Sequence, residues 1–360
     1  MKKMFFIAAA AVAAMTACTN VEIATPENNE ISFQTMSVST KALILPDKDS
    51  KDINPLPATA QFGVFAFVNA DYDTPLMNDV TIGCDATANN TWKALGSTTY
   101  IWPASGNVDF YAYYPASVTG SFDKTVKKVK MTGVDLGSTI GDQVDPLVAV
   151  TMGQIAEEKP QVKLVFKHTS SQILVSAYDA TTNPNLQGNI VIKNVKFNNV
   201  YTKGDYTDGT TLGKGTWTNH SALADFEVFS GEVSLPVGEE NESYLSQGSF
   251  TNAVDNNSAF VIIPEDVDPA QQTITVVYDV LPFVNGGYTY PKQENKTVTF
   301  GFKNQVIKDN HFKPGVRYVF HLAFTLDKAN NEIIFAPQVD GWETENINSL
   351  VIDVQNDVLL

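Results

Sequence analysis

The chain has 360 residues, enough for more than one hydrophobic core. Its 40 acidic against 24 basic residues give a formal charge of −16, which repels nucleic acid and anionic membrane surfaces and excludes nucleic acid as a partner. With 2 cysteines in all, Cys18 and Cys84, stability must come from buried apolar surface and not from a disulfide framework or a cysteine-based metal cluster.

The N-terminus is a secretory signal peptide: Lys2 and Lys3 precede the apolar run from Met4 to Met15. About a dozen apolar residues span only about 18 Å as a helix, too little for a bilayer core of about 30 Å. Met15-Thr16-Ala17-Cys18 looks like a bacterial lipobox, which makes Cys18 the lipidated residue and residues 1–18 the signal. Acyl chains on Cys18 would hold the precursor in a membrane at about 0.8 kcal/mol per buried methylene.

Thr19 to Glu30 is polar, with the composition of a flexible spacer, and Ile31 to Met36 is a short alternating strand. From Phe62 onward, short runs rich in Val, Ile, Phe and Tyr recur between Gly, Asn, Asp and Pro clusters. They include Phe62 to Val68, Val108 to Tyr114, Val162 to Phe166, Ile173 to Tyr178, Ile190 to Phe197, Ala259 to Ile263, Thr273 to Val280, Thr297 to Phe302 and Arg317 to Leu326. Their length and side-chain branching predict strands, and no long stretch carries a helical period. An all-β architecture of packed antiparallel sheets follows, since each sheet must bury a face. Glu157-Glu158-Lys159-Pro160 is the most linker-like interruption, which divides the body into residues 42–160 and 161–342.

No motif points to catalysis or metal binding. The 4 histidines, His168, His220, His311 and His321, form no pattern that could seed a zinc site, and His168 reads as a packed, hydrogen-bonded residue. Asp205-Tyr206-Thr207-Asp208-Gly209 resembles part of a calcium loop but lacks a terminal glutamate, and Asp-Gly is a hairpin signal, so a turn is expected. Gly213-Lys214-Gly215 is too short to cradle a phosphate. Trp92, Trp102, Trp217 and Trp342 are either core residues or a sugar-stacking platform. No cofactor, metal site or catalytic residue is expected.

The two ends carry more information. In the tail, residues 343–360, the even-numbered face places Leu350, Ile352, Val354, Val358 and Leu360 together with two asparagines, while the odd face carries Asp353 and Asp357. Such a strand either completes its own sheet or adds to the sheet edge of a neighbour. Burying its five apolar side chains would yield about 7–15 kcal/mol before ordering costs. Near the other end, Lys41-Ala42 suits a trypsin-like protease if the segment is exposed, and is otherwise an ordinary surface lysine. A cut there would detach residues 19–41, including the strand that holds Ile31 and Phe33.

Several segments together resemble the fimbrillins, or type V pilins, of Bacteroidetes-type bacteria. They are the lipobox, Ile31-Ser32-Phe33 followed by Thr40-Lys41-Ala42, Phe62-Gly63-Val64-Phe65-Ala66-Phe67, Phe110 to Pro115, Asp145 to Ala149, Leu164 to His168, Lys313-Pro314-Gly315 with Tyr318, and Val339 to Trp342. The resemblance implies two tandem transthyretin-like antiparallel β-sandwich domains and export as an outer-membrane lipoprotein. It also implies removal of the first strand by a trypsin-like protease, with Lys41 standing where the family usually has arginine. The product would be an extracellular fimbrium, polymerised by strand exchange between copies and serving adhesion. The tail resembles the donor extension of stalk subunits, with Leu350, Ile352, Val354 and Val358 as its inserted residues. A monomeric surface lipoprotein that binds glycans or another surface partner is the alternative.

Overall fold

The computed structural model describes residues 29–37, 56, 58–85, 91–140, 142–245, 260–266, 268, 270–285, 287–301 and 310–326, with the strands at 332–335, 350–353 and 358–359. Among them every regular element is a strand, apart from two single-turn 3-10 helices, so the all-β expectation holds. The first nine strands are β1 (Phe33–Ser37), β2 (Gln61–Val68), β3 (Pro75–Asp85), β4 (Thr91–Ala94), β5 (Asn107–Tyr114), β6 (Thr119–Asp123), β7 (Lys128–Asp135), β8 (Leu147–Ile155) and β9 (Val162–His168). Seven of these close a barrel in the order β1-β4-β3-β2-β5-β8-β9.

The apolar runs of β2 and β5 are continuous because both faces are covered. Phe62, Val64 and Ala66 point into the barrel with Val108, Phe110 and Ala112. Phe65, Phe67, Tyr111 and Tyr113 point outward into a second core that they share with Met131 of β7, Tyr206 and Trp217. β9, by contrast, buries Val162, Leu164, Phe166 and His168 and exposes Lys163, Val165 and Lys167.

The remaining strands are β10 (Ser171–Asp179), β11 (Ile190–Thr207), β12 (Thr216–Ser234), β13 (Ser243–Tyr244), β14 (Phe260–Ile262), β15 (Thr273–Val280) and β16 (Phe283–Asn285). They continue with β17 (Tyr288–Tyr290), β18 (Gln293–Gly301), β19 (Arg317–Phe324), β20 (Glu332–Phe335), β21 (Leu350–Asp353) and β22 (Val358–Leu359). One sheet runs β13-β10-β19-β20-β21-β22 with β14 also on β10; the other runs β18-β15-β11-β7-β6 with β12 also on β11. A core that includes Ile173, Val175, Phe197, Phe226, Phe260 and Phe320 lies between them.

Three features depart from the sequence expectation. Two neighbouring pairs are parallel, β1 with β9 and β10 with β19. The polar stretch around residue 160 is a turn, not a passage between units. A 3-10 turn at Ala156–Glu158 and a left-handed Lys159 (φ 46°) bring the chain from β8 into β9, which pairs with β8 and β1 in the barrel. The chain leaves the barrel only at Thr169-Ser170. The β6–β7 hairpin, from before residue 160, pairs through β7 with β11.

Tyr113 fastens this hairpin to the barrel. Its ring lies against Gly63 on β2 and Gly120 on β6, where an added Cβ would come within 2.2 Å of ring carbons at either position, and its hydroxyl donates to Asp79. Gly63→Ala is therefore expected to lower stability by about 1–3 kcal/mol through overpacking. Urea unfolding of the variant beside Tyr113→Leu, which removes the obstruction, checks the cause: the alanine should cost less in that background.

Candidate functional site: the strand slot of the barrel

β1 joins β4 to β9 in the closed barrel. Without it the order β4-β3-β2-β5-β8-β9 is an open sheet whose free edges, β4 and β9, face each other across a slot. β1 lies parallel to β9 from Phe33↔Val162 to Ser37↔Phe166, and antiparallel to β4 at Phe33↔Trp92. Main-chain bonds extend the seam: Ile31 N–H donates to Tyr100 O at 2.8 Å, Trp102 N–H to Asn29 O at 2.8 Å and Val162 N–H to Ser32 O at 2.9 Å.

Alternation turns Ile31, Phe33 and Thr35 into the barrel, each at most 4% exposed. The Phe33 ring meets Phe62 and Phe110 edge-on, with centroids 6.1 and 5.6 Å away. Burial of Ile31 and Phe33 alone contributes about 3–6 kcal/mol. The Thr35 hydroxyl is buried there without a hydrogen-bond partner. Sequence alternation finds Ile31 and Phe33 but gives no sign that the strand pairs at Phe33 with the distant Trp92 and Val162.

Of the other predicted residues, Cys18, Lys41, Ala42, Val354 and Trp342 lie outside the described residues. The tail strands that carry Leu350, Ile352 and Val358 pair on the chain's own sheet, β21 antiparallel to β20 and β22 to β21, at its outer edge.

The side chains that could suggest chemistry are committed to the fold. His168 Nδ1 bonds the Asp145 carboxylate, which also accepts from Ser170 Oγ, and both His168 and Asp145 are buried. Trp217 Nε1–H donates to Thr169 O at 2.7 Å and Gly315 N–H to Ser170 O at 2.7 Å. Asp145-Pro146, His168 and Lys313-Pro314-Gly315, far apart in sequence, thus meet where the chain leaves the barrel. At His321, Ser176 Oγ (2.8 Å) and Glu242 both address Nδ1. A hydrolytic triad needs the hydroxyl and the acid on opposite ring nitrogens, so this is a structural knot.

Asp205 accepts from Gly133 N–H at 2.7 Å and from Asn219 Nδ2 at 2.6 Å, while Asp208 accepts from Gly213 N–H and Tyr206 Oη, each at 2.9 Å. The Asp208 bonds brace the expected turn, whereas Asp205 lies within β11 and its bonds tie that strand to β7 and β12. Trp92, Trp102 and Trp217 are 4–6% exposed, which makes them core residues and removes the sugar platform they could have formed. Among the described residues no cluster of three His, Cys, Asp or Glu side chains could hold a metal ion. The Cys84 thiol, half-buried beside Asp85, is pushed up by desolvation and then by that charge, which disfavours the reactive thiolate.

A profile of fimbrillin-like proteins matches residues 52–342. The chain belongs to the fimbrillin-like family. Two solved structures share the fold of this fimbrillin-like chain. One is a fimbrial protein from Bacteroides vulgatus ATCC 8482, 16% identical with a TM-score of 0.56, the match covering 87% of this chain and 99% of that one. The other is a candidate cell-adhesion protein from Bacteroides uniformis ATCC 8492, 16% identical with a TM-score of 0.51, covering 87% and 98%. No curated protein matches the fimbrillin-like sequence.

Proposed function

We propose that this fimbrillin-like protein is a structural subunit, of the stalk, in a cell-surface fimbria that serves adhesion. In this reading the chain is exported, lipidated on Cys18 and held at the outer membrane until a trypsin-like protease cuts between Lys41 and Ala42. The detached segment carries β1 away, and the tail of another copy fills the slot. Repetition of that step builds an extracellular polymer from identical or related subunits.

One observation carries the reading: a single N-terminal strand closes the barrel, and it lies on the detachable side of Lys41. An open barrel would expose two strand edges and the apolar walls Phe62, Phe110, Leu164 and Phe166, which favours capture of an extended apolar strand. The tail has the required alternation, and it forms the outermost strands of its own sheet, β21 between β20 and β22 and β22 at the edge. Fimbrillin-like ancestry and the fimbrial and adhesion descriptions of the structural relatives agree with a place at the cell surface. The burial of three tryptophans leaves the monomeric glycan-binding alternative without its platform.

Limited trypsin digestion of the exported chain, followed by N-terminal sequencing and sizing, tests the proposal. Cleavage after Lys41 should yield a ladder of multimers, and deletion of residues 344–360 should abolish the ladder without preventing the cut. A chain that is cut and stays monomeric would refute the polymerisation step.

A further inference from the structure

Resting on that reading, we infer that a charge latch sets the register of the incoming strand: Lys163 and Lys167 on β9 pair with Asp353 and Asp357 of the neighbouring copy's tail. The slot is rimmed by cations in a chain whose acidic residues outnumber its basic ones by 40 to 24. Lys163 and Lys167 are exposed on the outer face of β9, the slot's longer wall, and Lys159 follows the turn just before it. On the opposite wall Lys93 is already paired with Asp85 at 2.9 Å. The resident strand does not use the two β9 lysines as ion-pair partners: the residue opposite Lys163 is the neutral Gln34. Among the described residues no carboxylate pairs with either lysine.

The tail supplies the complement. Residues 343–360 contain Glu343, Glu345, Asp353 and Asp357 and no lysine or arginine. Asp353 and Asp357 are four positions apart, as are Lys163 and Lys167. Four residues of strand span about 13 Å in either chain, so one register satisfies both pairs.

Direction follows from what the slot would bury. A tail parallel to β9, as β1 is now, sets Asp353 at the position of Gln34 and so opposite Lys163. Asp357 then comes beside Lys167, and Leu350, Ile352 and Val354 take the places of Ile31, Phe33 and Thr35. Asn356 falls at the level of Ser37, at the end of the ladder. Valine in place of Thr35 removes a buried hydroxyl that has no partner. The reverse direction also satisfies both charge pairs, but it drives the Asn356 amide into the Thr35 position, where the resident hydroxyl already finds none. The latch therefore selects the register and the burial selects the direction.

Exposed ion pairs of this kind shift an equilibrium a few-fold each and act mainly on encounter rate and on partner choice. Assembly of the trypsin-processed chain, followed by light scattering, should slow markedly between about 20 mM and about 500 mM salt, where screening shortens to a few ångström. At low salt Lys163→Glu with Lys167→Glu should assemble about tenfold more slowly. Adding Asp353→Lys and Asp357→Lys to that variant should restore the rate, which also shows that the reversed lysines leave the fold intact. In a Cys84→Ser background, Lys163→Cys with Asp353→Cys should form disulfide-linked multimers. Lys167→Cys with Asp353→Cys should not.

A chain that carries only Lys163→Glu and Lys167→Glu and assembles at the wild-type rate and salt sensitivity overturns the latch and leaves strand exchange standing. Cross-linking through Lys167→Cys instead overturns the register. A wild-type chain that is cut after Lys41 and never assembles overturns the strand-exchange reading beneath both.

Discussion

Phe33→Ala should destabilise the uncut chain by about 3–5 kcal/mol, the cost of emptying a large aromatic site in a packed core. The side chain is fully buried, it holds two edge-to-face contacts, and it sits on a strand that neither β2 nor β5 can replace. Under the proposed strand exchange the same substitution should leave an assembled polymer unchanged, because residues 1–41 would have left and Ile352 of the neighbour would occupy the position. Guanidinium unfolding of the uncut chain and of the cut, assembled material, each with and without the substitution, separates the two cases. A loss of several kcal/mol in both states would mean that β1 stays in the barrel and that the slot is never vacated. Loss in neither would mean that the closing strand contributes little, which contradicts the burial of Ile31, Phe33 and Thr35. Phe33→Leu, which keeps most of the volume, should recover much of the difference and so report packing and not misfolding.

How much of this was legible in the sequence depended on the range of the interaction. The period-two pattern of Val162 to His168 assigns an inner and an outer face, and the structure buries and exposes those residues accordingly. β15 occupies the residues that its composition marks, Thr273–Val280. Other elements misled for identifiable reasons. Asn198-Asn199 reads as the end of the strand that starts at Ile190, yet β11 continues to Thr207. The pair sits in a bulge, where Asn199 takes a φ of 58° and donates its N–H to Asp225 at 2.9 Å. The polar residues before Pro160 have the composition of a linker because a tight turn needs polar, left-handed backbone as much as a linker does. Neither parallel pairing, nor the seating of the β6–β7 hairpin on β11, has any local signature, since each joins strands far apart in sequence. The site was half legible on the same grounds. Ile31 and Phe33 stand out by alternation, whereas the slot that receives them is assembled from β2, β4, β5 and β9.

Glu265→Gln should raise stability at neutral and higher pH by about 3 kcal/mol and change it little near pH 4. Glu265 follows β14, 4% exposed, and burial pushes its carboxyl up from 4.5 to about 7 against the opposing bonds from Gln272 and the Tyr201 backbone, with the nearby Asp266 charge adding to the rise. Between those two values the folded chain holds a proton that the unfolded chain has released. The favourable contribution is therefore complete below about 4.5, declines as pH rises, and is gone above about 7. Glutamine keeps the shape without the ionisation, so the gap between variant and wild type should open across that window. His220, partly buried near Asp266 and His311, acts with the opposite sign. Burial holds its ring below the usual 6.5, so stability is lost as pH falls through that region, in wild type and variant alike. Subtracting the two urea-midpoint profiles removes the His220 contribution and leaves Glu265. A difference that stays constant from pH 4 to 8 would show that the carboxyl titrates normally and that water reaches it. The expected profile would make the segment after β14, which presents Phe260 and Ile262 to one core and Val261 and Ile263 to the other, weakest above neutrality and firmest in mild acid.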